Sequence, residues 1–384
     1  MRIRYLQCLL LFALMFLFIG PSYAAEFTVN PSLSLRGEYN DNIDFSRTNK
    51  RDDYIGTISP GLELGYGTDR INVKARAGVD FLRYHEYTDQ NTERQNYTVD
   101  ASYRAFERFT VNANGSYTKD TTLDSELQET GIVERRSERE SYSAGGGISY
   151  RISEVSDLSI NYTFSETDYD LDTYTDSEGH GVSLSYGYTF NNRLDTLSIR
   201  PYWNNTDSED DKIDTYGLSL GLNHQFTPTF STGINAGARY TETENNAGVT
   251  DDNWGWTADV SVTKTWQTAS ASLSYSHDLS YTAEGENVDV DRFSLDSHIM
   301  MTQKFGVRLS GSLYFTKSTG RITQDRDVRY YHISPSFFYN ITQHHYLELA
   351  YSYANEFDKK LTDDRELDRN MVWLTLNFNF PRTW

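Results

Sequence analysis

The chain has 384 residues and a formal net charge of −20, with 55 Asp and Glu against 35 Lys and Arg. That acidity excludes a surface built to hold nucleic-acid phosphates, which calls for the opposite sign. The single cysteine, Cys8, lies in the leader described next, so the rest of the chain has no disulfide, thiol nucleophile or thiolate metal site.

Residues 1–24 have the form of a secretory signal peptide. Arg2 and Arg4 make a charged start, Leu9 to Ile19 is an unbroken apolar run, and Ser22-Tyr23-Ala24 fits a small-x-small cleavage site. The run is too short to span a bilayer as a retained helix. Cleavage removes Arg2 and Arg4 and leaves residues 25–384 with a net charge of −22.

Beyond the leader, apolar or aromatic residues alternate with polar ones in block after block. Ile71, Val73, Ala75, Ala77, Val79 and Phe81 interleave with Asn72, Lys74, Arg76, Gly78 and Asp80, and the pattern returns at Tyr97 to Arg104. Period two means strands with one apolar and one polar face. In chain order the alternation predicts about eighteen strands, near 31–40, 54–66, 71–84, 97–105, 109–118, 141–152, 158–168, 181–190, 196–205, 215–226, 230–242, 254–265, 269–281, 292–302, 307–317, 329–341, 346–355 and 371–380. Counts of 16 to 20 fit the same boundaries. Short and long connectors take turns. Thr68 to Arg70 and Asn191 to Asp195 are short, whereas Lys119 to Glu140 and Glu356 to Asn370 are long. Short periplasmic turns and longer extracellular loops mark outer-membrane barrels.

The expected fold is therefore all-β: one transmembrane, antiparallel, up-and-down barrel over residues 25–384, in the outer membrane of a Gram-negative bacterium. A soluble β-sandwich or β-helix would also alternate, but neither needs so many aromatics at strand ends, such as Tyr66, Tyr117, Trp203, Trp254 and Trp266. The last strand carries Val372, Leu374, Leu376, Phe378 and Phe380 on one face. It has the look of a C-terminal assembly signal, with Phe378 and either Phe380 or Trp384 as its closing aromatic. Outer-membrane lipid, lipopolysaccharide and the barrel assembly machinery are the partners this implies.

The polar face is predicted to line a water-filled lumen. Its charged candidates are Glu63, Lys74, Arg76, Asp80, Asp100, Arg104, Arg151, Arg200, Arg239 and Asp259, and its aromatic candidates include Tyr202, Tyr314 and Trp373. Rings of charge set ion selectivity in pores, while cross-strand ion pairs stiffen a wall; these residues suit either role. The acidic connectors bias the mouth toward cations or lie as solvated loops. No His-Glu-x-x-His motif is present, and the residues point to no catalytic, cofactor or metal site.

Tyr39-Asn40-Asp41-Asn42-Ile43, Asp53-Tyr54-Ile55, Ser59-Pro60-Gly61-Leu62 and Thr68-Asp69-Arg70 resemble the outer-membrane β-barrel porins associated with exopolysaccharide export, including exosortase-system-associated barrels. The resemblance is sharpest over residues 31–100. It implies a passive conduit for an extracellular polysaccharide, with the glycan and periplasmic export proteins as further partners, and it carries over no catalytic residue. Two alternatives stand beside it: a general diffusion porin, and a structural or adhesive barrel whose acidic extracellular loops are the working part.

Overall fold

The computed structural model describes residues 25–209, 211–319, 327–359 and 364–384. The leader lies outside the described residues. Eighteen long strands run β1 Glu26–Asn40, β2 Asp53–Gly67, β3 Ile71–Tyr84, β4 Thr92–Phe106, β5 Phe109–Thr121, β6 Glu138–Arg151, β7 Ser156–Tyr169, β8 Ser177–Thr189 and β9 Asp195–Ser208, then β10 Asp211–Thr227, β11 Phe230–Asn245, β12 Thr250–Thr265, β13 Ala269–Tyr281, β14 Asn287–Met300, β15 Phe305–Ser318, β16 Asp327–Asn340, β17 His345–Lys359 and β18 Asp364–Asn379. Each pairs antiparallel with the next, and β1 pairs with β18 from Ser32 opposite Asn379 to Asn40 opposite Met371, which closes the barrel. A two-residue β19, Arg382–Thr383, continues that seam against Thr28 and Val29. The Trp384 and Phe27 backbones exchange hydrogen bonds in both directions, and their rings lie 6.1 Å apart.

The strands are longer than the 9–11 residues that a tilted span needs. They also begin earlier than the alternation suggested: β1 at Glu26 rather than 31, β10 at Asp211 rather than 215, β14 at Asn287 rather than 292. On β10, which starts at the long-connector end, the added residues Asp211, Lys212 and Asp214 break the apolar alternation because that part of the strand stands above the bilayer, where no lipid demands an apolar face.

Around the middle of the wall, Leu62, Ile148, Ile160, Leu184, Leu218, Leu220, Ile234, Leu273, Leu349 and Leu374 point outward and exposed. Rings flank this belt. Phe106, Tyr150, Phe190, Phe226, Trp266 and Tyr339 stand at the short-turn end, with Tyr54, Tyr97, Tyr162, Tyr216, Trp254 and Tyr331 at the other. An apolar belt between aromatic girdles is the exterior that a bilayer selects. Phe378 on β18 and Phe380 just past its end share the outward face with Leu374, and His345 of β17 packs 5.4 Å from both rings.

The ladder between β12 and β13 stops well short of the strand ends. β11 and β12 pair over their full length, whereas β12 and β13 pair only from Thr265–Ser270 up to Ala258–His277. Trp256 and His277 stack at 3.7 Å where the strands part. Beyond that point the β13–β14 hairpin leans inward: Tyr281 Oη donates to Ser208 Oγ at 2.9 Å, and the Ala283 carbonyl accepts from the Thr175 N–H at 2.8 Å.

Candidate functional site

The β5–β6 connector turns into the barrel rather than out of it. Its helix α1, Thr122–Glu129, starts at Thr121, whose N–H and hydroxyl both donate to the Asp124 carboxylate, at 3.3 and 2.7 Å. This is one arm of a capping box, and an acidic residue in the first turn also suits the helix dipole. Leu123 and Leu127, four residues apart, share one helix face. With Ile132 and Val133 from the following turns, they pack against Val288, Val290, Tyr314, Val328, Tyr330, Ala354 and Leu367 of β14–β18, joined by Phe45 of the β1–β2 loop. Residues on β5–β6 and on β14–β18 belong to opposite walls, so the segment crosses the lumen.

Polar anchors fix it there. Tyr314 Oη donates to the Gln128 carbonyl at 2.6 Å, Thr316 to the Thr130 carbonyl, and Arg365 Nη2 to the Val133 carbonyl at 2.7 Å. At its base Glu126 Oε1 accepts from Arg139 Nη1 at 2.9 Å and from Tyr169 Oη at 2.7 Å. Burial, reinforced by Glu129, pushes Glu126 up to about 7 against the pull of Arg139.

A wholly wet interior, expected from the small polar lining, is therefore corrected at the extracellular end. There the inward positions include Val288, Val290 and Val328, and the connector supplies the apolar residues that cover them. Below and beside the segment the lumen stays polar. A cavity of about 690 Å³ lies between the segment and the wall of β1–β3 and β14–β18. A smaller one of about 320 Å³ lies against β7–β9, at Ser159, Asn161, Ser183 and Arg200.

All thirteen candidate lining residues fall on the face opposite the apolar belt, but they do not form one ring. Arg76 on β3 bridges Glu63 on β2 at 2.8 Å and Asp100 on β4 at 3.7 Å, with Lys74 opposite Asp100 in register. Arg104 and Arg151 stand near the short turns, on β4 and β6. Tyr202 lays its ring over Gly217, where a side chain would meet it at 2.1 Å. Arg239 is buried, pairs with Asp289 and lies over Gly255, while Asp259 sits lower on β12. Only Asp80, Tyr314 and Trp373 reach the larger cavity.

That cavity is furnished by arginines outside the thirteen candidates. Arg36 lies over the ring of Trp373 at 4.3 Å, Arg136 over Tyr84 at 5.2 Å, Arg292 over Tyr314 at 5.3 Å and Arg369 over Phe45 at 5.1 Å. Arg36 is also paired with Glu38, and Arg94 with Asp124 at 2.8 Å. Arg292 and Arg36 obey the same period-two rule as their neighbours Ser294 and Ser34, so the alternation could have found them. Arg136 sits in the connector, where no period applies.

Residues 22–184, under half of the chain, match the family model described as "Putative beta-barrel porin 2". Among solved structures, the barrel is similar to OccK2 (OpdF) of Pseudomonas aeruginosa, with a TM-score of 0.50 and 9% identity over 92% of this chain and 98% of that one. It is similar to a BenF-like porin from Pseudomonas fluorescens Pf-5, with a TM-score of 0.50 and 11% identity over 93% and 99% of the two chains. Acinetobacter baumannii OccAB3 gives the same values. No curated protein matches the sequence. At these identities the likeness to solved structures is one of fold. The closed wall, its apolar ring-girdled exterior and the porin family match place the chain in the Gram-negative outer membrane as a porin-like barrel.

Proposed function

We propose that this barrel is a diffusion channel for small hydrophilic solutes, which pass through the polar space left beside the inward segment. The observation that carries this reading is the packing of residues 122–137 across the lumen, with a polar cavity of about 690 Å³ remaining at its side. Export of a polysaccharide calls for an unobstructed duct, and the anchored segment stands in that path, so the geometry favours the diffusion channel over the glycan conduit. A purely adhesive barrel needs no such cavity.

Swelling of liposomes that hold the purified barrel tests the reading. Neutral monosaccharides and disaccharides are expected to enter, and long dextrans to be excluded. Passage of the dextrans would restore the glycan conduit, and no swelling with any sugar would favour the closed, adhesive barrel.

A further inference from the structure

The arginines of the larger cavity are held in an unusual way for charged residues. Arg292, Tyr314, Tyr330, Phe45 and Arg369 form a continuous chain of ring contacts: the guanidinium of Arg292 lies over Tyr314, Tyr314 is 5.6 Å from Tyr330 and tilted to it, Tyr330 meets Phe45 edge-on at 6.4 Å, and Arg369 lies over Phe45. Arg136 faces the same space from the ring of Tyr84, with the Gln90 amide oxygen as its side-chain acceptor at 3.1 Å. Arg292 Nε donates to Ser294 Oγ at 3.1 Å, and among the described residues none of these three arginines has a carboxylate within ion-pair distance. Rings orient a guanidinium through its face and leave its N–H edge open to a ligand.

Two carboxylates of the same cavity, Asp296 and Asp80, are likewise without an ion pair among the described residues. Asp296 is on β14 with Arg292, four residues nearer the short-turn end and on the same face, which is roughly 13 Å along the strand. The free cations thus lie toward the long-connector end, and Asp296 stands below them. An anion drawn to the upper set meets repulsion from the lower one, and a cation meets the reverse. A solute that carries both charges, set apart along its length, satisfies both.

Resting on the channel reading above, we propose that the larger lumen cavity binds a zwitterionic solute of short-peptide size, its carboxylate held at the free arginines, Arg292 foremost, and its ammonium directed to Asp296. The cavity is then a selective station on the diffusion path rather than a passive gap. Charge-assisted contacts at both ends slow such a solute, while a neutral sugar of equal size makes none of them.

Single-channel recording in planar bilayers, with triglycine added on the extracellular side, tests the site. Triglycine is expected to interrupt the ion current with saturable dependence on concentration. N-acetyl-triglycine, which lacks the ammonium, and triglycine amide, which lacks the carboxylate, should each bind roughly tenfold more weakly. Arg292→Gln and Asp296→Asn, both exposed to the lumen, should each weaken triglycine by a similar factor, with the ion current retained. Equal affinity for triglycine and its N-acetyl form, or tighter binding in Asp296→Asn, would replace the zwitterion site with a simple anion site. Ion current that no solute disturbs would remove the binding site and leave the diffusion channel standing. Absence of ion current would remove both.

Discussion

Gly131 ends the inward helix at a point where no other residue fits well. Its φ is +74°, and an added Cβ would lie 3.0 Å from the Cβ atoms of both Tyr314 and Tyr330. Gly131→Ala therefore combines a left-handed backbone, which costs roughly 1–2 kcal/mol, with a clash against the ring chain. Amide exchange across residues 122–137 should accelerate by roughly tenfold or more while the barrel wall is unchanged; unaltered exchange would mean that the segment does not depend on this close approach. The two faces of β10 give a second residue-level expectation. Leu220 is 55% exposed on the lipid side and Ser219 faces the lumen. Leu220→Arg should destabilise the folded barrel by roughly 2–4 kcal/mol in urea titrations in lipid, and Ser219→Arg by much less. Equal damage would contradict the assignment of faces.

The inward segment responds to pH through Glu126. In the docked segment this carboxyl titrates at about 7 because burial and Glu129 oppose its charge, although Arg139 and Tyr169 lie against it and Asp120 stands on the far side of Arg139. A folded value raised above the ordinary carboxylate range means that the docked form binds a proton the undocked form does not. Docking is therefore strengthened as pH falls from about 7 toward that range, and the gain is lost as pH rises through 7. Open-channel current noise from segment motion should be greater on the alkaline side of neutrality than at mildly acid pH, and Glu126→Gln should abolish the difference. A pH response that survives Glu126→Gln would place the sensor elsewhere. This element is also where sequence reading fell short. Strands announced themselves because lipid imposes period two on every wall residue, as in Ile71 to Phe81. The connector 119–140 read as long and acidic, since its apolar residues are few and their partners, such as Val288 and Tyr314, lie far away in sequence. Its local signals were Leu123 and Leu127 at helical spacing after a Thr–Asp cap, followed by Ile132-Val133.

At the scale of the molecule, strand number, closure and the outward belt were legible, because each repeats many times and errors at single boundaries do not shift the register. The thirteen lumen candidates were chosen by the same alternation, which tells face but not height, and so it could not separate the wall pairs around Arg76 from the cavity around Tyr314. Residues 122–137 narrow an otherwise open barrel. Single-channel conductance of the wild-type protein and of a variant with 122–137 replaced by a short Gly-Ser linker, both showing heat-modifiable gel mobility, tests that narrowing most directly. A small wild-type conductance is expected, rising several-fold in the variant together with admission of larger sugars; equal conductance in the two proteins would mean that the segment does not narrow the pore.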